Sequence, residues 1–374
     1  MRAMAVVLGL LIAITVSAVA LLAAIVDAEF VLDTAAATLK NEGVEIQSDN
    51  ESTLTIFPSL ELKIPSASLT IFDLESDKKQ YITVERLHFK TTVPKLLFSR
   101  SGRLSVDQIT TKDIQLAEIS TDIVLADGLS LPNLTAVLWG GELAADIDID
   151  GSQTPAKVHT SGTLIDADAQ STLAMLDHTG IVKGRLTTAW DLTLKSNSNE
   201  SGMTRIEGPL SIKGEKVALG IDLHGSIIGS ITEALGGKRA DMNPEGTLLE
   251  TFEMIQTHSG QLVSVDSMKL ETRIVAVNAT GKLDRKSKLF SATAKAKFDA
   301  SELAKLPNAK ILEKFADQEW PIQCEGRTDN GRLREWCVVD FSTLAKQSLS
   351  NEIERALKVD KPAETFKSLL RRLK

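Results

Sequence analysis

The sequence predicts a β-rich fold, mainly antiparallel, in which a curled or sandwich-like sheet with short helices follows one N-terminal transmembrane helix. Three observations lead to this prediction. The stretch from Met4 to Val26 carries no charged residue. Much of the later chain alternates apolar and polar residues, which is the pattern of half-buried strands. These short strands recur at roughly even spacing between Gly, Asn, Asp and Pro residues, as in sandwiches, barrels and long antiparallel sheets.

Residues 1–27 are predicted to form a transmembrane anchor. A helix over Met4–Val26 is long enough to cross a hydrocarbon core of roughly 30 Å. Arg2 and the N-terminal amine precede the helix and acidic residues follow it, so we expect a cytoplasmic N-terminus and an exported body. The alternative is a cleaved signal peptide, because Ala18-Val19-Ala20 has the form of a cleavage site. Both interpretations export the body.

Composition restricts the classes of function. The 374 residues carry a net charge of −8, so the body as a whole is not expected to bind nucleic acid or anionic lipid. Aromatic residues make up only 4%, which argues against aromatic platforms for sugars or bases. The two cysteines, Cys324 and Cys337, lie close together in the sequence. In an exported protein this predicts one disulfide, and two unpaired thiols are the alternative.

A first β-rich region is predicted for residues 28–240. It begins with a short helix over Ala28–Lys40. Strands follow, and Leu60–Ile64 alternates with apolar residues on one face and charged residues on the other. Pro58 and Pro65 should sit at strand ends, bulges or edges. The strongest apolar positions, which we expect to form either a core or the wall of a lipid-accessible groove, are Leu54, Ile56, Leu60, Leu62, Ile64, Leu69 and Ile71.

The rest of this region contains both helical and strand-like passages. Ala169–Leu176 is predicted to be a short helix with Asp166 or Asp168 as its N-cap. Ile206–Leu223 is predicted to be two strands that turn at Lys213-Gly214-Glu215. Residues 226–235 could form a helix, and the polar, Gly-rich passage 236–245 marks a domain boundary.

A second β region is predicted for residues 241–341, with strands resuming at Gln261. A helical passage covers residues 301–315. Two strands, Trp320–Cys324 and Glu335–Val339, should form a hairpin that sets Cys324 opposite Cys337.

Residues 342–374 are predicted to form C-terminal amphipathic helices. The last one places apolar residues at i, i+3, i+4 and i+7 beside basic residues, which favours contact with a membrane surface or a partner. Packing against the body is the alternative. The contact residues would be Phe366, Leu369, Leu370, Arg371, Arg372 and Leu373.

No catalytic, cofactor or metal motif is present in the sequence, and no enzymatic activity is expected. There is no nucleophile elbow and no phosphate-binding loop. The five histidines, at 88, 159, 178, 224 and 258, have no other His or Cys at ligand spacing. Asp146, Asp148 and Asp150 alternate like calcium ligands, but on a strand they are expected to form a solvated face.

Several short motifs, in this order behind the anchor, resemble those of the AsmA family of Gram-negative envelope proteins. The resemblance extends over nearly the whole chain, although each motif alone has low specificity. The motifs are Gly43–Ile46, Ile56–Leu62, Val84–Leu87, Leu104–Ile109, Leu138–Glu142, Gly180–Gly184, Ile206–Ile212, Ser259–Leu262, Pro321–Gly326 and Val338–Phe341.

The resemblance implies a single-pass protein of the bacterial inner membrane with an AsmA-like periplasmic body that acts in outer-membrane biogenesis. Residues 28–240 and 241–341 would be its two AsmA-like regions. We expect the body to shield acyl chains, of phospholipid for example, in an apolar groove, and to need no cofactor. The alternative is a scaffold that binds no lipid and assists assembly of envelope proteins. A periplasmic hydrolase is a third interpretation, for which the sequence offers no motif.

Overall fold

The computed structural model describes most of the β-rich body. The described residues are 44–48, 52–55, 58–73, 78–92, 94–111, 114–125, 128–150, 157–174, 182–195, 205–220, 225, 227–229, 246–305, 318–328 and 336–340. The predicted anchor (1–27), the helix over residues 28–40 and the C-terminal helices (342–374) lie outside them. Both predicted domain boundaries, at residues 240–241 and 341–342, also lie outside them.

Antiparallel strands dominate the structure, which confirms the β-rich, mainly antiparallel class with short helices that was predicted for the body. The strands are β1 (Val44–Ser48), β2 (Thr53–Thr55), β3 (Leu60–Asp73), β4 (Lys78–Thr91), β5 (Ser101–Thr110), β6 (Gln115–Leu125), β7 (Leu129–Leu138), β8 (Gly141–Asp150), β9 (Lys157–Asp168), β10 (Val182–Lys195), β11 (Arg205–Leu219), β12 (Thr247–Gly260), β13 (Leu262–Glu271), β14 (Val275–Asp284), β15 (Leu289–Phe298), β16 (Trp320–Arg327) and β17 (Cys337–Val339). The described helices are short: a π-helical turn (Lys95–Ser99), α1 (Ala169–Ala174) and α2 (Ala300–Leu303).

The chain divides into two compact units. The first contains residues 1–219 and 252–261, and the second contains residues 220–251 and 262–374. In the first unit, strands β2 to β11 form a meander in which each strand pairs with the next. In the second unit, β13 to β17 form a meander of the same kind.

Pro65 lies within a strand, at a gap in the pairing of one edge. On that edge of β3, β2 pairs as far as Lys63 and β1 pairs from Ala67 onward. Proline lacks a backbone N–H, so the position between the two partners accommodates it without loss of a ladder bond on that side. The strand predicted at Leu60–Ile64 therefore continues through the proline into one strand of 14 residues.

The buried face changes phase within seven described strands of the first unit, β3 to β7, β9 and β11. On β4, for example, the buried positions are even-numbered up to Val84 and odd-numbered from Leu87. In β4, β6, β7, β9 and β11 the residue immediately before the new phase has a positive φ, as at a β-bulge, which bends the strand and turns the side chains that follow. These kink residues are Arg86, Glu118, Asn133, Asp166 and Lys216. Strands β3 and β5 change phase without a positive φ.

Two sequence-based predictions are corrected by the structure. Residues 206–219 belong to one continuous strand, β11, rather than to two strands that turn at Lys213-Gly214-Glu215. Gly214 is buried opposite Leu186, and a Cβ there would meet the Leu186 side chain, so this glycine permits close packing rather than a turn. Strand β12 was also absent from the prediction, which resumed strands only at Gln261.

The predicted cap of helix α1 is Asp168. Its Oδ2 accepts hydrogen bonds from the backbone N–H of Ser171 at 2.8 Å and from its hydroxyl at 2.7 Å. The Ser171 side chain and backbone lower the pKa of the Asp168 carboxyl, because both hydrogen bonds favour the ionised acceptor. Asp166, the other candidate, is a kink residue.

Candidate functional site

The residues predicted to line a groove in the first unit are packed inside it. Leu60, Leu62, Ile64 and Leu69 are between 3% and 9% exposed, in a core built from β3 to β9. Leu54 of β2 is half-buried and packs against the same core. Ile56 lies outside the described residues. For Ile71 the structure describes only the backbone, which pairs with Val44 of β1 and Gln80 of β4.

A second apolar face lies on β13 to β16, wholly within the second unit. Its floor is made of the smallest side chains: Ala279 of β14 pairs with Ala294 of β15, and Gly281 pairs with Ala292. Paired residues point to the same side of a sheet, and so do alternate residues along a strand. The four residues therefore form one patch whose side chains rise little above the backbone. This patch is called the small-residue floor below.

Larger apolar side chains border the small-residue floor. Met268 pairs with Ala279 on one side, and Ile322 pairs with Ala294 on the other. Leu283 and Phe290 form the next row toward the β14–β15 turn. Every paired position on this side of β13 to β16 is apolar or glycine. The face offers no polar partner to a ligand, so it is suited to hydrocarbon.

Burial of this face changes along the strands. At one end Val277, Ala296 and Trp320 are 6%, 0% and 1% exposed. They belong to a core that also contains Leu303 of α2 and Ile228. At the other end Gly281, Leu283, Phe290 and Ala292 are only half-buried. The face is thus a closed core at one end and a half-exposed apolar surface at the other.

An aromatic pair and the disulfide lie at the half-exposed end. Cys324 and Cys337 face each other across β16 and β17 and are bonded, which confirms the predicted disulfide. Trp336, next to Cys337, meets the edge of Phe290 with ring centroids 5.1 Å apart. Its indole also lies against Gly326, where any Cβ would overlap the ring. The disulfide therefore holds β17 against β16. Trp336, the residue just before β17, packs onto this end of the face.

Glu61 is the most strongly perturbed acid in the described structure, and it lies on the polar side of β3. Its carboxylate is 2.7 Å from Lys90 Nζ and accepts a hydrogen bond from the Ser59 hydroxyl at 2.8 Å. His88 Nε2 is 3.5 Å away. The Lys90 and Ser59 hydrogen bonds lower the pKa of Glu61 to about 2. A carboxylate held ionised in this way is a poor general base near neutral pH.

The other polar residues considered in the sequence are dispersed. His159 lies 3.7 Å from Asp191, and His258 is 3.0 Å from Gln256. Histidines 178 and 224 lie outside the described residues. Asp146 and Asp148 are exposed on β8, and Asp146 accepts a backbone hydrogen bond. Among the described residues, no group of three or more His, Cys, Asp or Glu is arranged to hold a metal ion.

The two segments predicted to contact a membrane are not part of this geometry. Residues 1–27 lie outside the described structure, as do Phe366, Leu369, Leu370, Arg371, Arg372 and Leu373. Within the part of the chain that is described, no helix is both long and apolar enough to span a bilayer. In comparisons with protein-family models, curated proteins and solved structures, no match to the chain was found.

Proposed function

We propose that the protein shields lipid acyl chains on the apolar face of β13 to β16 and so supports lipid transport or assembly at the outer membrane. In this proposal residues 1–27 anchor the chain in the inner membrane and the body lies in the periplasm. The sequence resemblance to the AsmA family supports this setting. The observation that carries the proposal is the half-exposed, uncharged face with a floor of alanine and glycine.

The shape of this face suits a hydrocarbon chain. The small side chains at Gly281, Ala292 and Ala294 are half-buried between the larger ones on β13 and β16. Ala279, at the closed side of the floor, is only 7% exposed, so the proposed acyl-chain site is centred on Gly281 and Ala292. Covering apolar surface contributes about 25 cal/mol per Å² of area removed from water. An acyl chain laid along the floor would therefore be bound without any directional contact, as is expected for a carrier that tolerates different lipids.

The location differs from the groove predicted in the sequence. Leu62, Ile64 and Leu69 already fill their space against other protein side chains, and close-packed interiors leave no room for a ligand. The β13–β16 face offers apolar area that remains partly in contact with solvent. The proposed lipid site therefore belongs to the second unit.

Crosslinking from two neighbouring positions of β15 tests the proposal. The full chain is made in cells with a small aliphatic diazirine residue at position 292, on the apolar face, or at position 293, on the polar face. After irradiation, the tryptic peptides are searched for phospholipid adducts by mass spectrometry. We expect adducts at 292 and few or none at 293. Equal labelling at both positions, or none at 292, would contradict the proposal.

The scaffold remains the second candidate, and the closed core of the first unit favours it. A scaffold uses its apolar residues only to fold, and the burial of Leu60, Leu62, Ile64 and Leu69 in the core of the first unit fits that role. In that case the diazirine at position 292 should yield crosslinks within the chain or to an envelope protein. Native mass spectrometry of the same protein would then detect no retained phospholipid.

A further inference from the structure

The start of β13, the end of β14, the start of β15 and the end of β16 lie at the same end of the second unit's sheet. The register shows this directly, because Leu262 pairs with Asp284 and Leu289 pairs with Arg327. The β14–β15 turn, residues 285–288, closes the middle of this end. Residues 285–288, together with Lys282 and Arg327, are called the basic end of the sheet below.

The basic end carries five cationic side chains. Lys282, Lys286, Lys288 and Arg327 are exposed, and Arg285 is half-buried. Among the described residues of β14 to β16 at this end, the carboxylates are those of Asp284 and Glu325. The chain as a whole has a net charge of −8, so this end opposes the average charge of the protein. A local excess of positive charge attracts anionic surfaces within about 10 Å, even when the whole molecule is acidic.

Hydrogen bonds define the shape of the basic end. Asp284 Oδ1 accepts from the backbone N–H of Lys286 at 2.8 Å and of Ser287 at 3.2 Å. These bonds keep the pKa of the Asp284 carboxyl below its usual range. The Thr328 N–H donates to the Lys288 carbonyl at 2.9 Å, which ties the residue after β16 to this turn. The cations thus lie on an ordered turn. The Asp284 carboxylate accepts hydrogen bonds from the backbone of the same turn.

Two leucines are exposed among these cations. Leu262 is 39% exposed and Leu289 is 52% exposed. Through their pairing with Asp284 and Arg327, both point to the polar side of the sheet rather than to the small-residue floor. Exposed leucines do not help to bind a soluble polyanion. Beside lysine and arginine they match a lipid interface, where apolar side chains enter the headgroup region and cations meet the headgroups.

We infer that the basic end docks on the surface of an anionic phospholipid bilayer, with Leu262 and Leu289 inserted among the headgroups. The half-exposed part of the small-residue floor lies toward the same end of the strands, because Leu283 and Phe290 adjoin the turn. Docking there would bring the apolar face close to a bilayer. The inference concerns a different surface from the proposed acyl-chain site and does not require that site to bind lipid.

A vesicle-capture assay tests the inference on the full chain. The chain is reconstituted in nanodiscs of neutral phosphatidylcholine, which accommodate any membrane-inserted segment. Labelled vesicles of phosphatidylcholine with one quarter phosphatidylglycerol, or of phosphatidylcholine alone, are then added. We expect capture of the anionic vesicles only, weakened by high salt because the Debye length shortens. Failure to capture anionic vesicles, or equal capture of neutral ones, would overturn the inference.

Matched variants locate the surface. Lys286→Glu with Lys288→Glu should lower capture at least about tenfold, since each cation near an anionic bilayer contributes roughly fivefold in affinity. Lys295→Glu with Lys297→Glu makes the same charge change on exposed residues farther along β15 and should leave capture nearly unchanged. If Arg371→Glu with Arg372→Glu abolishes capture and the turn variant does not, the C-terminal segment is the docking element and the inference is wrong.

The leucines distinguish a bilayer from an acidic macromolecule. Leu262→Ser with Leu289→Ser should reduce vesicle capture several-fold while binding to the soluble polyanion heparin stays the same. If the double serine variant keeps both vesicle capture and heparin binding, the binding is purely ionic and the inference of insertion is overturned. An environment-sensitive dye on Leu289→Cys should shift to the blue when anionic vesicles are added, whereas the same dye on Lys297→Cys should not. The dye also reports docking if the serine variant folds poorly.

Discussion

The backbone N–H of Asn133 on β7 donates a hydrogen bond to Oδ1 of Asp146 on β8, with a length of 2.8 Å. Asn133 has a φ of 55° and is the kink residue after which the buried positions of β7 change phase. Arg86, another kink residue, is held in a comparable way: its Nε lies 2.7 Å from Oδ2 of Asp107 on β5. Side chains on the polar face thus support bends that aim the apolar face inward.

Loss of the Asp146 acceptor should destabilise the first unit. Asp146→Ala is expected to lower the free energy of unfolding by about 1 kcal/mol, because the Asn133 N–H loses a charge-assisted bond. Asp146→Asn keeps an acceptor oxygen and should cost less. Asp148→Ala, two residues along the same exposed side of β8, should change stability by less than about 0.5 kcal/mol. Urea titration followed by tryptophan fluorescence measures all three, and equal losses for Asp146→Ala and Asp148→Ala would contradict the role given to the bond.

Gly208 should tolerate no side chain. Its φ is 124°, and a Cβ there would overlap the carbonyl oxygen of Asp191 on the neighbouring strand. Gly208→Ala is therefore expected to cost at least about 3 kcal/mol, as strain and backbone displacement combine. Gly260 is the control because its φ is 63° and nothing lies within 4 Å of the position that a Cβ would take, so Gly260→Ala should cost only about 1 kcal/mol. Comparable urea midpoints for the two variants would contradict this explanation.

The period-two pattern predicted the β-rich class and many strand segments, since an apolar face must alternate wherever a strand is half-buried. The same reasoning could not find most of the kinks, because Arg86, Glu118 and Lys216 are residue types without a preference for a positive φ. It also misassigned Gly214 to a turn, because the local sequence does not distinguish a turn glycine from a buried glycine between paired strands. Strand β12 was missed because polar and apolar residues share its half-buried positions.

The candidate site was only partly visible in the sequence. The alternation Ala292-x-Ala294-x-Ala296 on β15 is a signal for a face of small residues, but it becomes a floor only when Ala279 and Gly281 pair with it. The register of that pairing is not encoded in the sequence of either strand alone. The cysteine spacing, in contrast, was sufficient to predict the disulfide, because the hairpin that joins Cys324 to Cys337 is local. Which apolar face is closed and which is half-exposed depends on packing that no strand pattern encodes.

Acid should weaken the contribution of Glu61 to stability. The Lys90 and Ser59 hydrogen bonds lower its folded-state pKa to about 2, below the ordinary value of 4.5 that applies in the unfolded chain. The stabilisation is therefore fully present above about pH 5, and it is lost as the pH falls from 4.5 toward 2. The difference in urea midpoint between the native protein and Glu61→Gln should be clear at pH 7 and vanish near pH 2. A difference that does not change with pH would show that the charge is not responsible.

Reduction of the Cys324–Cys337 bond should loosen the second unit near Trp336. The bond closes a loop with a sequence separation of 13 residues, and constraining such a loop in the unfolded chain contributes about 3 kcal/mol. Dithiothreitol should therefore lower the urea midpoint of the native protein and shift the fluorescence of Trp336, whose packing against Phe290 depends on the adjoining strand. The double variant Cys324→Ala with Cys337→Ala is the control, because it should match the reduced protein and no longer respond to the reductant. If the native midpoint stays unchanged on full reduction, then β-pairing alone holds Trp336 over Gly326. The disulfide would then be dispensable for the half-exposed end of the apolar face.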